Sequence, residues 1–106
     1  MSVRLVITMQ AKPGCGTELL EVMERRCVEA REEPGCEQFD ILQSARDPDM
    51  LCLLELWRDQ DALDVHAALN ATGTPKRGTP ARDLRADGTL SREDYEYNRT
   101  YPLVPG

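Results

Sequence analysis

The sequence predicts one α+β domain of the ferredoxin-like kind, with the order β-α-β-β-α-β and an antiparallel sheet. Three observations lead there. The chain has 106 residues, which is the size of one domain and leaves no room for two ordinary cores. Three strand-length runs, Val3 to Gln10, Cys36 to Gln43 and Met50 to Trp57, are separated by one long amphipathic stretch and one loop. A second helical stretch and a tyrosine-rich run then complete a split βαβ arrangement.

In the first run Val3, Leu5, Ile7 and Met9 share one side and Arg4, Val6, Thr8 and Gln10 the other, a strand with one apolar and one mixed face. Lys12-Pro13-Gly14 breaks it. Thr17 is read as a helix N-cap with Glu18 and Glu21 in the first turn, where the helix dipole favours negative charge. Leu19, Leu20, Met23, Cys27 and Ala30 follow at helical spacing, and Pro34-Gly35 stops the helix. Ser44 to Asp49 is rich in turn formers, so the next two strands form an antiparallel hairpin. The second of these, Leu51 to Trp57, is almost continuously apolar and is expected at the centre of the sheet, covered on both faces. Asp59 caps a second helix with Ala62, Val65, His66 and Leu69 as its stripe.

From about residue 71 to 94 the chain has little apolar content and no period, and a mobile insertion is expected. The basic residues Lys76, Arg77, Arg82 and Arg85 fall in this stretch and are read as solvated surface. A last strand or arm is expected over about 95 to 104, limited to a sheet edge by Pro102. The whole of residues 1 to 106 is thus read as a single domain with its core in residues 3 to 69.

A net charge of −6 and a pI near 4.7 repel phosphate backbones and argue against nucleic acid as a partner. No apolar run approaches a membrane span. Val3 to Met9 is too short for a leader's apolar core and carries Arg4, so a cytoplasmic setting is expected. Cys15, Cys27, Cys36 and Cys52 show no Cys-x-x-Cys and do not cluster with the single histidine, so reduced, packed thiols are expected and no metal site is read. A chain of this length buries only about two-thirds of its unfolded surface, which favours a homodimer.

Leu51 to Leu69 reads as an apolar strand ending Glu55-x-Trp57, an acidic turn, an Ala62-Leu63 pair and a histidine three residues later. With Lys12-Pro13-Gly14 and Glu33-Pro34-Gly35-Cys36, this resembles the antibiotic-biosynthesis monooxygenase family over residues 3 to 69. The resemblance implies a ferredoxin-like subunit whose sheet packs on a second copy to make a dimeric α+β barrel. It also implies activities ranging from cofactor-free oxygenation of aromatic polyketides and quinols to haem degradation, so the family name fixes architecture better than chemistry. Beyond Leu69 the match weakens.

His66 is the leading catalytic candidate: a neutral imidazole could take a proton from a phenol or hydroquinone, whose anion reduces dioxygen without metal or flavin. The alternative is a structural histidine holding a backbone group or Glu55. Trp57 is a candidate wall for an aromatic substrate, or a core or interface anchor. Glu55 shares its face and would orient His66 or pair with an arginine across a dimer. Tyr95 and Tyr97, with Tyr101, are candidates for a pocket or for ordinary strand packing. Thr8 and Gln10 are further pocket candidates, or solvent-exposed.

Haem-degrading relatives depend on an asparagine in the first strand, and none lies between Val3 and Gln10. No cofactor is therefore expected, although simple haem binding through His66 stays open at this stage. The leading function is a cofactor-independent monooxygenase acting on a small aromatic molecule with dioxygen. It predicts an enclosed cavity with His66 at its wall. The alternatives are a non-catalytic binding or accessory barrel, with His66 tied up by protein groups, and a polyketide cyclase or isomerase.

Overall fold

The computed structural model describes residues 1–72, 81–86 and 90–97, with only the backbone at Thr72, Arg82 and Tyr97. The elements are β1 (Ser2–Gln10), α1 (Gly16–Ala30), β2 (Cys36–Gln43), β3 (Met50–Trp57), α2 (Gln60–Thr72), α3 (Ala81–Leu84) and β4 (Ser91–Tyr97). The strands form one antiparallel sheet in the order β2-β3-β1-β4. The crossover through α1 leaves a gap between β1 and β2, and β3 folds back into it. This is the expected ferredoxin-like α+β fold.

Strand alternation decides what faces the core. On β3 the residues Leu51, Leu53, Glu55 and Trp57 are buried and the residues between them are half-buried. Val3, Leu5 and Met9 of β1 and Phe39 and Ile41 of β2 continue that face. Leu19, Val22, Met23, Cys27 and Ala30 of α1, at three- and four-residue spacing, fill it from the helix side. β3 is central, as expected, but within the described residues it is fully covered on one face only. Leu54 and Leu56 are half-buried on the other.

Four further sequence expectations are corrected. α1 begins at Gly16 with Cys15 as its N-cap, and Thr17 caps nothing. Instead Asp49, in the β2–β3 loop, accepts from the amides of Gly14 at 3.1 Å and Gly16 at 2.9 Å. A carboxylate distant in sequence thus satisfies N–H groups that a local side chain usually takes.

On α2, Asp59 does cap, accepting from the Ala62 amide at 2.8 Å. The buried stripe, however, is Ala62, Leu63 and His66, while Val65 and Leu69 are about half exposed. At about 100° per residue, Val65 points well away from the line through positions 62, 63 and 66.

The stretch read as an insertion contains α3, whose Ala81 and Leu84 are buried in the core. Lys12 donates to the Leu84 carbonyl at 2.8 Å and Ala86 to that of Gln10 at 2.8 Å, docking the segment beside the end of β1. Lys76 and Arg77 lie outside the described residues.

The last strand starts at Ser91, not near Tyr95, and pairs with β1 from Thr8↔Ser91 to Ser2↔Tyr97. Its residues Ser91 to Glu96 are exposed and mostly charged. An edge strand of that kind carries no apolar alternation to read. The expected arm beyond Tyr97, with Tyr101, lies outside the described residues.

Candidate functional site

Alternation along β3 sends Glu55 and Trp57 to the helix side, and α2 brings His66 down on them one turn after Ala62. All three are buried, with Trp57 at 0%, Glu55 at 3% and His66 at 7% exposure. A carboxylate on an inward position of a central strand is costly unless it is partnered. The Trp57 indole N–H supplies a partner, donating to Glu55 Oε1 at 2.8 Å.

The His66 ring lies 4.6 Å from that of Trp57 at an interplanar angle of 33°. Phe39 meets it edge-on at 5.4 Å. Its Nδ1 is 2.9 Å from each carboxylate oxygen of Glu33, in the turn between α1 and β2. Its Nε2 is 3.0 Å from the Asn70 side-chain amide, one turn further along α2, and 4.0 Å from Glu55 Oε1. One imidazole therefore stands between two carboxylates against an aromatic wall.

Burial pushes the Glu55 carboxyl above its ordinary range, with the Trp57 N–H, His66 and Arg92 pulling the other way. Burial, reinforced by Glu33 and Glu55, likewise pushes the Cys36 thiol up to about 11. Cys27, buried in the core, is pushed up to about 11 as well. Neither is a thiolate nucleophile at neutral pH. All four cysteines are unpaired. Among the described residues no three His, Cys, Asp or Glu side chains converge to hold a metal ion. To bind a haem iron His66 would have to give up one of its side-chain partners.

The structure thus gathers three of the sequence candidates, His66, Glu55 and Trp57. It places Thr8, Gln10 and Tyr95 on the opposite face of the sheet, since Thr8 pairs with Cys52, Gln10 with Met50 and Arg4 with Tyr95. Tyr97 pairs with Ser2 at the far end of β1. The residues missed are Glu33, Phe39 and Asn70. Asn70 had a signal, its four-residue spacing from His66. Glu33 had only its place before Pro34-Gly35, which reads as a helix stop.

An open cleft of about 320 Å³ lies along β2, lined by Arg31, Cys36, Glu37, Gln38, Phe39 and Asp40. It is not the enclosed cavity expected at His66. Of the residues around His66 it shares only Phe39.

A family profile described as antibiotic biosynthesis monooxygenase matches residues 2–72. No curated protein sequence gives a significant match. Among solved structures, SnoaB, a cofactor-independent oxygenase from Streptomyces nogalater, is similar with a TM-score of 0.74 and 20% identity over 96% of this chain and 98% of that one. Rv0793 from Mycobacterium tuberculosis gives 0.74 and 20% over 96% and 100%. PA3566 from Pseudomonas aeruginosa gives 0.72 and 24% over 92% and 95%. At these identities the structural likeness speaks for the fold.

Proposed function

Because the chain belongs to the antibiotic biosynthesis monooxygenase family, we propose that it is a cofactor-independent monooxygenase for a small phenolic, quinol or polyketide-type aromatic, with dioxygen as co-substrate. The observation that carries this reading is the buried imidazole of His66, stacked on Trp57 and held between Glu33 and Glu55. An imidazole so placed takes the phenolic proton. The phenolate then gives one electron to dioxygen, the radical pair closes a C–O bond at a ring carbon that bears hydrogen, the imidazolium returns its proton to the peroxide, and loss of water from the resulting hydroperoxide leaves a quinone. The resemblance to SnoaB in fold supports the same chemistry.

Trp57 and Glu55 form the wall against which the aromatic ring would sit, while Thr8, Gln10 and Tyr95 belong to a face we assign to pairing of two copies. The four unpaired thiols support a cytoplasmic setting.

One observation favours a second reading: both ring nitrogens of His66 already have protein partners, as a non-catalytic binding or accessory barrel would have. Oxygen uptake by the metal-stripped protein with anthrones, naphthols and hydroquinones separates the two. We expect uptake that falls by about 10²- to 10⁴-fold in His66→Ala. No uptake with any of these, or uptake unaffected in His66→Ala, rejects the base role. Substrate loss without oxygen uptake marks a ring-closing or isomerising step instead.

A further inference from the structure

We propose that Glu33 is the positioning residue of this site: its carboxylate fixes His66 as the Nδ1–H tautomer, leaving Nε2 as the proton-accepting atom beside Glu55 and Trp57. This deepens the monooxygenase reading by naming the atom that takes the proton and the residue that assigns it.

The first argument is donor and acceptor chemistry. An ionised carboxylate only accepts, so the ring nitrogen 2.9 Å from both oxygens of Glu33 carries the hydrogen. Asn70 then completes the assignment, because its amide N–H donates to the bare Nε2 at 3.0 Å. Asn70 is exposed, and its amide can swing aside for a substrate hydroxyl. Glu55 Oε1 lies 4.0 Å from Nε2 on the same side of the ring as that acceptor atom.

The second argument is that the turn carrying Glu33 is held against the helix carrying His66. Gly35 adopts a φ of +81°, and a Cβ there would come within 2.5 Å of the Ala62 Cβ. Ala62 lies one turn before His66 on the same face of α2. The Gly35 carbonyl accepts from the Arg58 amide at 2.8 Å and the Glu33 carbonyl from that of Cys36 at 3.1 Å. Pro34 adds a fixed φ. The Glu33-Pro34-Gly35-Cys36 run thus ends a helix and also sets the distance between a carboxylate on one element and an imidazole on another.

The test uses the fact that His66 is the only histidine, so two-bond ¹H–¹⁵N correlation spectra of the intact protein report its tautomer without ambiguity. Wild type is expected to show Nδ1 protonated and Nε2 bare. Glu33→Gln, whose amide can donate to Nδ1, is expected to move the ring towards the Nε2–H form. Gly35→Ala, which leaves Glu33 chemically intact but pushes the turn off α2, is expected to do the same in part. Oxygen uptake should fall at least tenfold in kcat in Glu33→Gln with little change in KM, as for a base presented in the wrong tautomer.

A wild-type Nε2–H signal overturns the proposal without any variant having to fold, and so does an unchanged tautomer in a folded Glu33→Gln protein. Failure of the monooxygenase reading looks different: the tautomer responds to Glu33 as described, yet no substrate supports oxygen uptake.

Discussion

Glu55 projects a carboxylate from a central strand into a core where 3% of the residue is exposed, and burial pushes its pKa above the ordinary 4.5. With the folded-state value raised, the protonated carboxyl contributes its stability fully below about pH 4.5, and that contribution is lost as pH rises through the raised value. Asp40, Asp59 and Asp94 have carboxyls held below their ordinary range by hydrogen bonds from Gln38, the Ala62 amide and Arg92 respectively, so they act in the opposite sense. They are common to wild type and Glu55→Gln, so a difference between the two proteins removes them. The glutamine keeps an acceptor for the Trp57 N–H and never ionises. The melting temperature of Glu55→Gln minus that of wild type should therefore grow between about pH 4 and pH 7. A constant difference would show that Glu55 does not change charge across that range. At this scale much of the site was legible: alternation on β3 put Glu55 and Trp57 together, and a lone histidine on the next helix had few other places to point. Glu33 was not legible, because a contact across 33 residues leaves no periodicity in the chain.

At the scale of elements, Asp49 joins the β2–β3 loop to the start of α1 through two amide hydrogen bonds. Gly16 makes that contact possible, since a Cβ there would collide with the Pro48 carbonyl. Inside the loop, Ser44 Oγ accepts from the amides of Arg46 and Asp47, and Asp47 Oδ1 from that of Asp49, so the capping carboxylate is itself presented by an ordered turn. Asp49→Ala should cost about 1–2 kcal/mol in urea unfolding, the usual worth of an N-terminal cap, while Ser44→Ala should cost less. Equal stability of Asp49→Ala and wild type would reassign the helix start to its own sequence. The two long helices, the hairpin and the first three strands were readable because burial imposes a period of 3.6 or 2 on them, whereas the four residues of α3 are too few to show one. The start of α1 was misread as Thr17 because the cap comes from another element. β4 was misplaced because an exposed, charged edge strand has no buried face to pattern. On α2 two apolar residues, Val65 and Leu69, imitated a stripe that actually runs through Ala62, Leu63 and His66.

The whole molecule has a sheet with two unlike faces. The helix side is closed, while on the other side no described element packs over Val6, Cys52, Leu54 and Leu56 of the two central strands, which are all half-buried. Leu42 and Tyr95, on the flanking strands of that face, are about half exposed. An apolar strip of this kind on a small chain is the surface that self-association would remove from water. A net charge of −6 per chain works against two copies meeting, and salt screens that repulsion. If apolar contact across the two sheets drives pairing, wild type should sediment as a dimer at micromolar concentration, and more firmly at 0.5 M than at 0.05 M salt. Leu54, which pairs with Val6 on one side and Asp40 on the other, sits at the middle of the strip. Leu54→Asp places a carboxylate in the middle of that apolar strip and should shift the protein to monomer. Its circular dichroism should stay intact, because residue 54 points away from the helix-side core. A wild-type monomer under these conditions would reject pairing through this face. A dimer that survives Leu54→Asp would place the interface elsewhere and leave the sheet face of Thr8, Gln10 and Tyr95 open to a ligand.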